Sequence, residues 1–469
     1  MMNRKEAENY VYASYLKASR FRDDRAPDSQ IRNPRLTKDL IQRLSDEAGI
    51  PAIVITGSKG KGSVAVILAE LLRSSFKVGL MTSPHLLSFC ERFQADGCRI
   101  SDEDFCRLMD RVKELLDPIE ASLSPDVCIS PMGIQTLLAL LYFKEKGTQI
   151  NIFECGKGAR YDDVNQVKRE YAIINRILSE HLRELGPDLK SIARDKSHVI
   201  SGQERCVYIA RQEDEVMEVL LERADRLGVP ARCLGKDFQA DQIRLDKKGT
   251  VFNFVMGHYR MTDLRIPLPG GFQAENCALA LAIYLDILEQ YDMIPQKAYL
   301  PGDSITEESI KNHLSVSIRE RLSRVRRPGR MEILSESPFI LLDACIHAES
   351  ALQIRQLLAA LKINQACIII GIPDDKDFEG VARVMNPLAS ELILTRSRNP
   401  HYIFTDRQKE RLKARGIRIR QTDCLSQALS LWAGRDQKDP LIILGTTSLV
   451  SEAEQIVSTS GDHPFHPCR

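Results

Sequence analysis

The residues best suited to chemistry lie in one glycine-rich stretch, Gly57-Ser58-Lys59-Gly60-Lys61-Gly62-Ser63. Glycines at Gly57, Gly60 and Gly62 let backbone N–H groups approach an anion with no Cβ in the way, and a helix starting there adds unpaired donors and a positive dipole end. Lys61 supplies a point charge, and the Ser63 hydroxyl suits a magnesium ion. The chemistry implied is the cradling of phosphate. The spacing departs from the strict GxxxxGK[ST] loop, because Ile55 stands at the first glycine position and Gly62 separates Lys61 from Ser63. Read alone, the stretch also fits a glycine-rich turn that binds nothing.

Elements on either side must position it. The apolar, β-branched run Ile53-Val54-Ile55-Thr56 predicts a strand, and VAVILAELLRSSF after the glycines predicts a helix. Lys77 to Met81 predicts the next strand, so a βαβ unit brings Gly60 and Ser83 to the same sheet edge. Helical patterns at 102–116 and 134–143 are followed by strands at Gln149 to Phe153 and Tyr171 to Ile174. The polar residues after those strands, Ser83, Glu154 and His181, suit that same edge, and the alternation predicts an open, mostly parallel α/β sheet.

Residues 1–50 read as helical, with apolar positions at Tyr10, Tyr12, Tyr15, Leu16 and again at Leu40, Ile41, Leu44 and Ala48. The proline-bearing loop at 22–36 between them either links or lies over a ligand. Short β segments are expected over 231–268, then the apolar helix CALALAIYLDIL. A charged stretch, SITEESIKNHLSVSIRERLSRVRRPGR, marks the domain junction, and a second α/β alternation runs through Phe339–Leu342, Cys367–Ile370, Leu392–Thr395 and Leu441–Leu444. The expected division is residues 1–324 and 325–469.

A chain of 469 residues exceeds the size at which one core keeps growing, which agrees with two domains. Lysine and arginine number 65 against 64 acidic residues, so no electrostatic footprint points to a nucleic acid or a membrane surface, and small ligands are the expected partners. Twelve cysteines without metal-ligand spacing read as reduced thiols. No apolar run approaches a membrane span, and the expected location is cytoplasmic.

Taken in order, the strings GSKGKGS, TSPHLLSFCERF, FECGKGARYDDVN, SEHLRELG with IARDK, GGFQAENCALALA, RRPGRMEIL, LLDACIHAES, IPDDKD, LTRSRNP and GTTSLVSE resemble the folylpolyglutamate synthase and dihydrofolate synthase family of the Mur ligase superfamily. The resemblance spans nearly the whole chain. It implies a P-loop-type, mostly parallel sheet domain followed by a smaller Rossmann-like α/β domain. It also implies an ATP-dependent ligase that activates a carboxylate as an acyl phosphate and couples it to the amine of an amino acid, glutamate first, giving ADP and phosphate.

By that resemblance Gly57, Gly60, Lys61, Gly62 and Ser63 hold the phosphates, with Lys61 also catalytic. Ser63, Ser83 and Glu154 bracket one Mg²⁺, while His181 and Lys196 belong to a second metal site. Lys196 matches a lysine that is carbamylated, and His181 follows Glu180 where an aspartate is usual. Gln273 and Asn276 match the adenine side, although Asn276 also fits a helix cap. Arg330 and Asp343 match nucleotide and ribose contacts, so ATP is expected to bridge the domains. A monomer is expected.

The second-domain motif departs from the family's Asp-Gly-Ala-His-Asn-Pro, reading Asp343-Ala344-Cys345-Ile346-His347-Ala348. Lys59, Lys157 and Ala159 are further departures, and the two extra cations either recruit an anionic substrate or are solvated. A ligase with another acyl substrate or amino acid, and a nucleotide-binding relative without catalysis, stay as alternatives.

Overall fold

The computed structural model describes residues 2–23, 26–44, 49–293, 307–434 and 439–458; Ala48, one of the expected apolar positions, lies outside them. The chain divides into two compact units. The first is Met1–Asp241, Asn253–Thr262 and Glu275–Arg324, and the second is Gln242–Phe252, Asp263–Ala274 and Val325–Arg469. The sequence reading gave the second unit only its last segment.

The first unit is built on an eight-stranded sheet: β1 (Ala52–Thr56), β2 (Val78–Met81), β3 (Phe93–Ala95), β4 (Cys98–Arg99), β5 (Ile150–Glu154), β6 (Tyr171–Ile174), β7 (Cys206–Ile209) and β8 (Ala231–Cys233). Their order is β4-β3-β2-β5-β1-β6-β7-β8. Strands β2, β5, β1, β6, β7 and β8 pair in parallel, and β3 and β4 add an antiparallel edge. β1 and β5 are buried at every residue, as strands covered on both faces must be; their residues are mostly apolar, and the buried Asn151 inside β5 accepts from Thr148 Oγ1 at 2.8 Å.

Register fixes what meets at the strand ends. Met81 pairs with Phe153, Ile55 with Glu154 and Thr56 with Ile174. The residues that follow β2, β1 and β6, together with the last residue of β5, therefore line one C-terminal edge. The helix Lys61–Leu72, which returns from that edge, is apolar nearly all round and is buried on nearly every side.

Three further strands, β9 (Phe238–Asp246), β10 (Gly249–Met256) and β11 (Tyr259–Ile266), form a separate sheet ordered β11-β10-β9. The expected short β segments are longer than their turn-rich sequence suggested. The charged stretch at the expected domain junction contains the helix Glu307–Ser323.

In the second unit β12 (Glu332–Glu336), β13 (Phe339–Asp343), β14 (Ala366–Gly371), β15 (Ala389–Leu394), β16 (Arg420–Gln421) and β17 (Leu441–Gly445) form a sheet ordered β12-β13-β17-β14-β15-β16. Only β12 runs antiparallel to its neighbour. Its core is a cluster that includes Leu341, Ile354, Ile368, Val381 and Leu444. The described cysteines are free thiols, and among the described residues no helix is long and apolar enough to cross a membrane.

Candidate active site

The glycine stretch closes β1 and opens the helix Lys61–Leu72. Gly57 and Gly60 have φ of 137° and 78°, where a side chain is strained. Close approach excludes a side chain independently: a Cβ on Gly60 would stand 2.4 Å from Asn175 Nδ2 and 2.6 Å from Asn276 Oδ1. The helices that begin at Asp102, Pro131 and Leu189 are capped by the side chains of Ser101, Ser130 and Asp188. At Gly60 no side chain caps the helix, so its first N–H groups stay available to an anion.

Two lysines meet on one loop carbonyl. Lys61 Nζ donates to Gly57 O at 2.8 Å, and Lys196 Nζ donates to the same oxygen at 3.0 Å and to Lys157 O. Lys196 is fully buried, with Glu180 3.8 Å away. Burial first, and then the Lys61 charge, pull its ammonium from 10.5 down to about 8, against the smaller pull of Glu180 and Asp195. As an ammonium it donates to carbonyls and cannot ligate a cation.

The contacts continue to His181. Lys157 Nζ lies 3.2 Å from Asp28 and 3.5 Å from Glu184, and Glu184 Oε1 lies 3.7 Å from His181 Nδ1. His181 itself takes a left-handed conformation, φ 53°, at the head of the short helix Leu182–Leu185. The pairing shows what Lys157 does: half-buried, it is tied to two carboxylates. Asp28 comes from the loop at 22–36 and is buried, so that loop docks against this face and is not a bare linker.

On the neighbouring strand Glu154 is buried, and its Oε2 accepts from Thr82 Oγ1 and from the Ser83 N–H at 2.8 Å. Oε1 receives no donor among the described residues, and the hydroxyls of Ser63 and Ser83 make no hydrogen bond there either. One carboxylate oxygen and two hydroxyls thus remain uncommitted in the set expected to bracket Mg²⁺, and hard oxygen donors are what that ion prefers. Among the described residues no group of three or more His, Cys, Asp and Glu side chains is arranged to hold a metal, so a site at Glu154 depends on the hydroxyls.

Asn276 does not cap its helix. That helix begins at Phe272, and the buried Asn276 Oδ1 instead accepts from Asn175 Nδ2 at 2.9 Å, which places the pair over Gly60. Sequence reasoning missed Asn175, Thr82, Asp28 and Glu184. Asn175 carried the signal that had marked Ser83 and Glu154, since it is the first polar residue after an apolar strand. Asp28 and Glu184 carried none.

The second unit has its own strand-end group. Asp343 ends β13, and its Oδ2 accepts from Met331 N at 2.8 Å; Arg330 Nη1 donates to Ala344 O at 3.2 Å. Cys345 Sγ donates to His347 O at 3.5 Å, and His347 precedes the helix Ala348–Ala360. Gln273 is buried within the same unit.

Residues 55–284 match the Mur ligase middle domain. The chain is 27% identical over 407 residues to dihydrofolate synthase/folylpolyglutamate synthase of Mycobacterium tuberculosis, covering 83% of this chain and 79% of that protein. It is 27% identical over 359 residues to the Bacillus subtilis protein of the same name, covering 75% and 78%. In fold it is similar to the apo form of L. casei FPGS, with a TM-score of 0.80 at 21% identity over 97% of this chain and 100% of that one. The Mycobacterium tuberculosis folylpolyglutamate synthase complexed with ADP and AMPPCP gives a TM-score of 0.77 at 24% identity, with the same coverage.

Proposed function

We propose, on the premise that this chain belongs to the folylpolyglutamate synthase/dihydrofolate synthase family of Mur ligases, that it is an ATP-dependent ligase joining glutamate to a pteroate or folate carboxylate. ATP transfers its γ-phosphoryl group to the carboxylate, and the amine of glutamate displaces phosphate from the acyl phosphate, leaving an amide, ADP and phosphate. A carboxylate oxygen is a poor leaving group and phosphate a good one, so the protein's task is largely to position the reactants and neutralise charge. The observation that carries this reading is the uncapped helix start at Gly60, with Lys61 and Lys196 converging on Gly57 O beside it.

In this reading the loop amides and Lys61 hold the β and γ phosphates. Ser63, Ser83 and the uncommitted oxygen of Glu154 would hold Mg²⁺, which neutralises phosphate charge when bound. Lys196, whose amine is partly neutral near pH 8, takes up carbon dioxide as a carbamate; with His181 it would then serve a second Mg²⁺. Asn276 and Gln273 serve the adenine, and Arg330 and Asp343 the nucleotide's remaining polar groups. The chain acts in the cytoplasm on small molecules, as a monomer.

A second reading keeps the phosphate chemistry and changes the amine or the acyl group. It draws on Cys345, Ile346 and His347, which replace the family's residues next to Asp343. One experiment separates the two: phosphate release from ATP with dihydropteroate, folate and a panel of amino acids. The proposal expects release that depends on both a pteroate or folate and glutamate. Release independent of every pteroate and folate would overturn it in favour of the second reading.

A further inference from the structure

Arg92 is a largely buried guanidinium with no carboxylate within ion-pair distance among the described residues. Its partners are neutral. Nε donates to His85 Nδ1 at 2.9 Å, Nη1 donates to Gln135 Oε1 at 2.8 Å, and the group lies over the Phe89 ring, 4.8 Å from its centroid. Burying a cation without a counter-charge is costly, and buried arginines are ordinarily paired. Burial accordingly lowers its pKa, with Tyr12 and Glu154 as the charges that oppose the shift.

The segment that carries Arg92 is built to hold it there. Ser88 caps the turn Phe89–Arg92, and the Glu91 carboxylate accepts from the N–H groups of Leu86, Leu87 and Ser88, which fixes the backbone just beyond His85. Thr82 N donates to Arg92 O at 3.0 Å, tying the turn to the end of β2 beside Ser83. Gln135 Nε2 donates to Pro131 O at 2.8 Å, so its oxygen is held for Arg92. Because His85 Nδ1 accepts from Arg92, its proton is on Nε2. Two donors are left over: Arg92 Nη2 and His85 Nε2, neither of which has an acceptor among the described residues.

We propose that Arg92 and His85 form a carboxylate-binding subsite that holds the acyl substrate's carboxylate at the β2 end of the sheet edge. The proposal rests on the ligase reading above for what the carboxylate belongs to. A guanidinium fork matches a carboxylate in geometry and supplies the opposite charge. The bound anion would in turn give Arg92 the counter-charge that the protein withholds. The Arg92 charge also offsets the repulsion that Glu154 would exert on a bound carboxylate, so a carboxamide of the same shape should gain little from the subsite.

The test measures affinity of the full chain for two matched pairs, pteroate against its carboxamide and benzoate against benzamide, with ADP affinity as the control. The wild type should prefer the carboxylate of each pair by about tenfold, and Arg92→Gln should reduce that preference to about twofold or less with ADP affinity unchanged. Arg92→Lys keeps the charge and loses the fork, and should keep only part of the preference, so it decides the matter where Arg92→Gln binds ADP poorly. Equal affinities within each pair in the wild type, or a preference that survives in both variants, would overturn the subsite. An Arg92-dependent preference for benzoate with no binding of pteroate would uphold the subsite and count against the folate reading.

Discussion

The C-terminal edges of the two parallel sheets are organised by different contacts. In the first unit the polar groups reach across long stretches of chain: Glu154 to Ser83, Lys196 to Gly57, and Asn175 to Asn276, separated by 71, 139 and 101 residues. In the second unit the bonds at the end of β13 are mostly short-range, with Asp343 to Met331 over 12 residues, Arg330 to Ala344 over 14 and Cys345 to His347 over 2, whereas its other strand ends are tied over longer spans, Ser397 to Ser448 over 51 and Arg398 to Glu452 over 54. The first edge is an assembly that exists only when several strands are in register. The second edge also joins several strands, but the turn after β13 is shaped mostly by its own strand and the residues beside it, and it carries the departures at Ala344, Ile346 and His347.

That contrast breaks down if the first edge tolerates change. The largest effect is expected at Lys61→Ala, with phosphate release falling by about a thousandfold or more while the fold, followed by circular dichroism, is kept. Turnover near the wild-type rate would remove the phosphate-loop assignment. Next comes Lys196→Ala, expected to lose about a hundredfold and to be partly restored by short carboxylates. Its pH signature is separate. The folded pKa of about 8 lies below the ordinary 10.5, so between those values the unfolded chain binds more protons and stability rises with pH. The wild type should therefore gain stability relative to Lys196→Ala as pH rises from about 8 towards 10, measured by urea unfolding, and parallel curves would count against the shift.

A smaller effect is expected at Asn175→Ala, which removes the Asn175 Nδ2 hydrogen bond to the buried Asn276: about 1–3 kcal/mol of stability together with a raised KM for ATP. An unchanged ATP KM would make the pair purely structural. The smallest is expected at the second edge, where His347→Ala should raise the amino-acid KM about threefold and leave the ATP KM alone. Equal changes in both would show that His347 does not sort amino acids, and would weaken the contrast between the long-range first edge and the more local turn after β13.

Much of the first unit was legible. Short, mostly apolar runs leading to Gly57, Ser83 and Glu154 announced a parallel sheet, because strands buried on both faces are largely apolar until they end. The glycines announced themselves by spacing. Asn175 was legible by the same rule and was passed over. Asp28 and Glu184 were not legible at all, since an acidic residue in a polar loop looks the same whether it faces water or Lys157. Asn276 fitted a helix cap as well as the adenine side because sequence places helix starts only approximately, and the start at Phe272 puts it inside the helix.

What the sequence determined by itself was the alternation of strands and helices, the phosphate-binding turn and the residue types at the strand ends, all of which follow from local periodicity and from glycine's freedom. Only the tertiary structure decided that Lys61 and Lys196 share one carbonyl, that Lys157 is held by Asp28 and Glu184, and that Arg92 is largely buried with no carboxylate in ion-pair reach among the described residues. Each of those depends on segments far apart in the chain meeting in low-dielectric surroundings, and neither proximity nor burial is encoded at any single position.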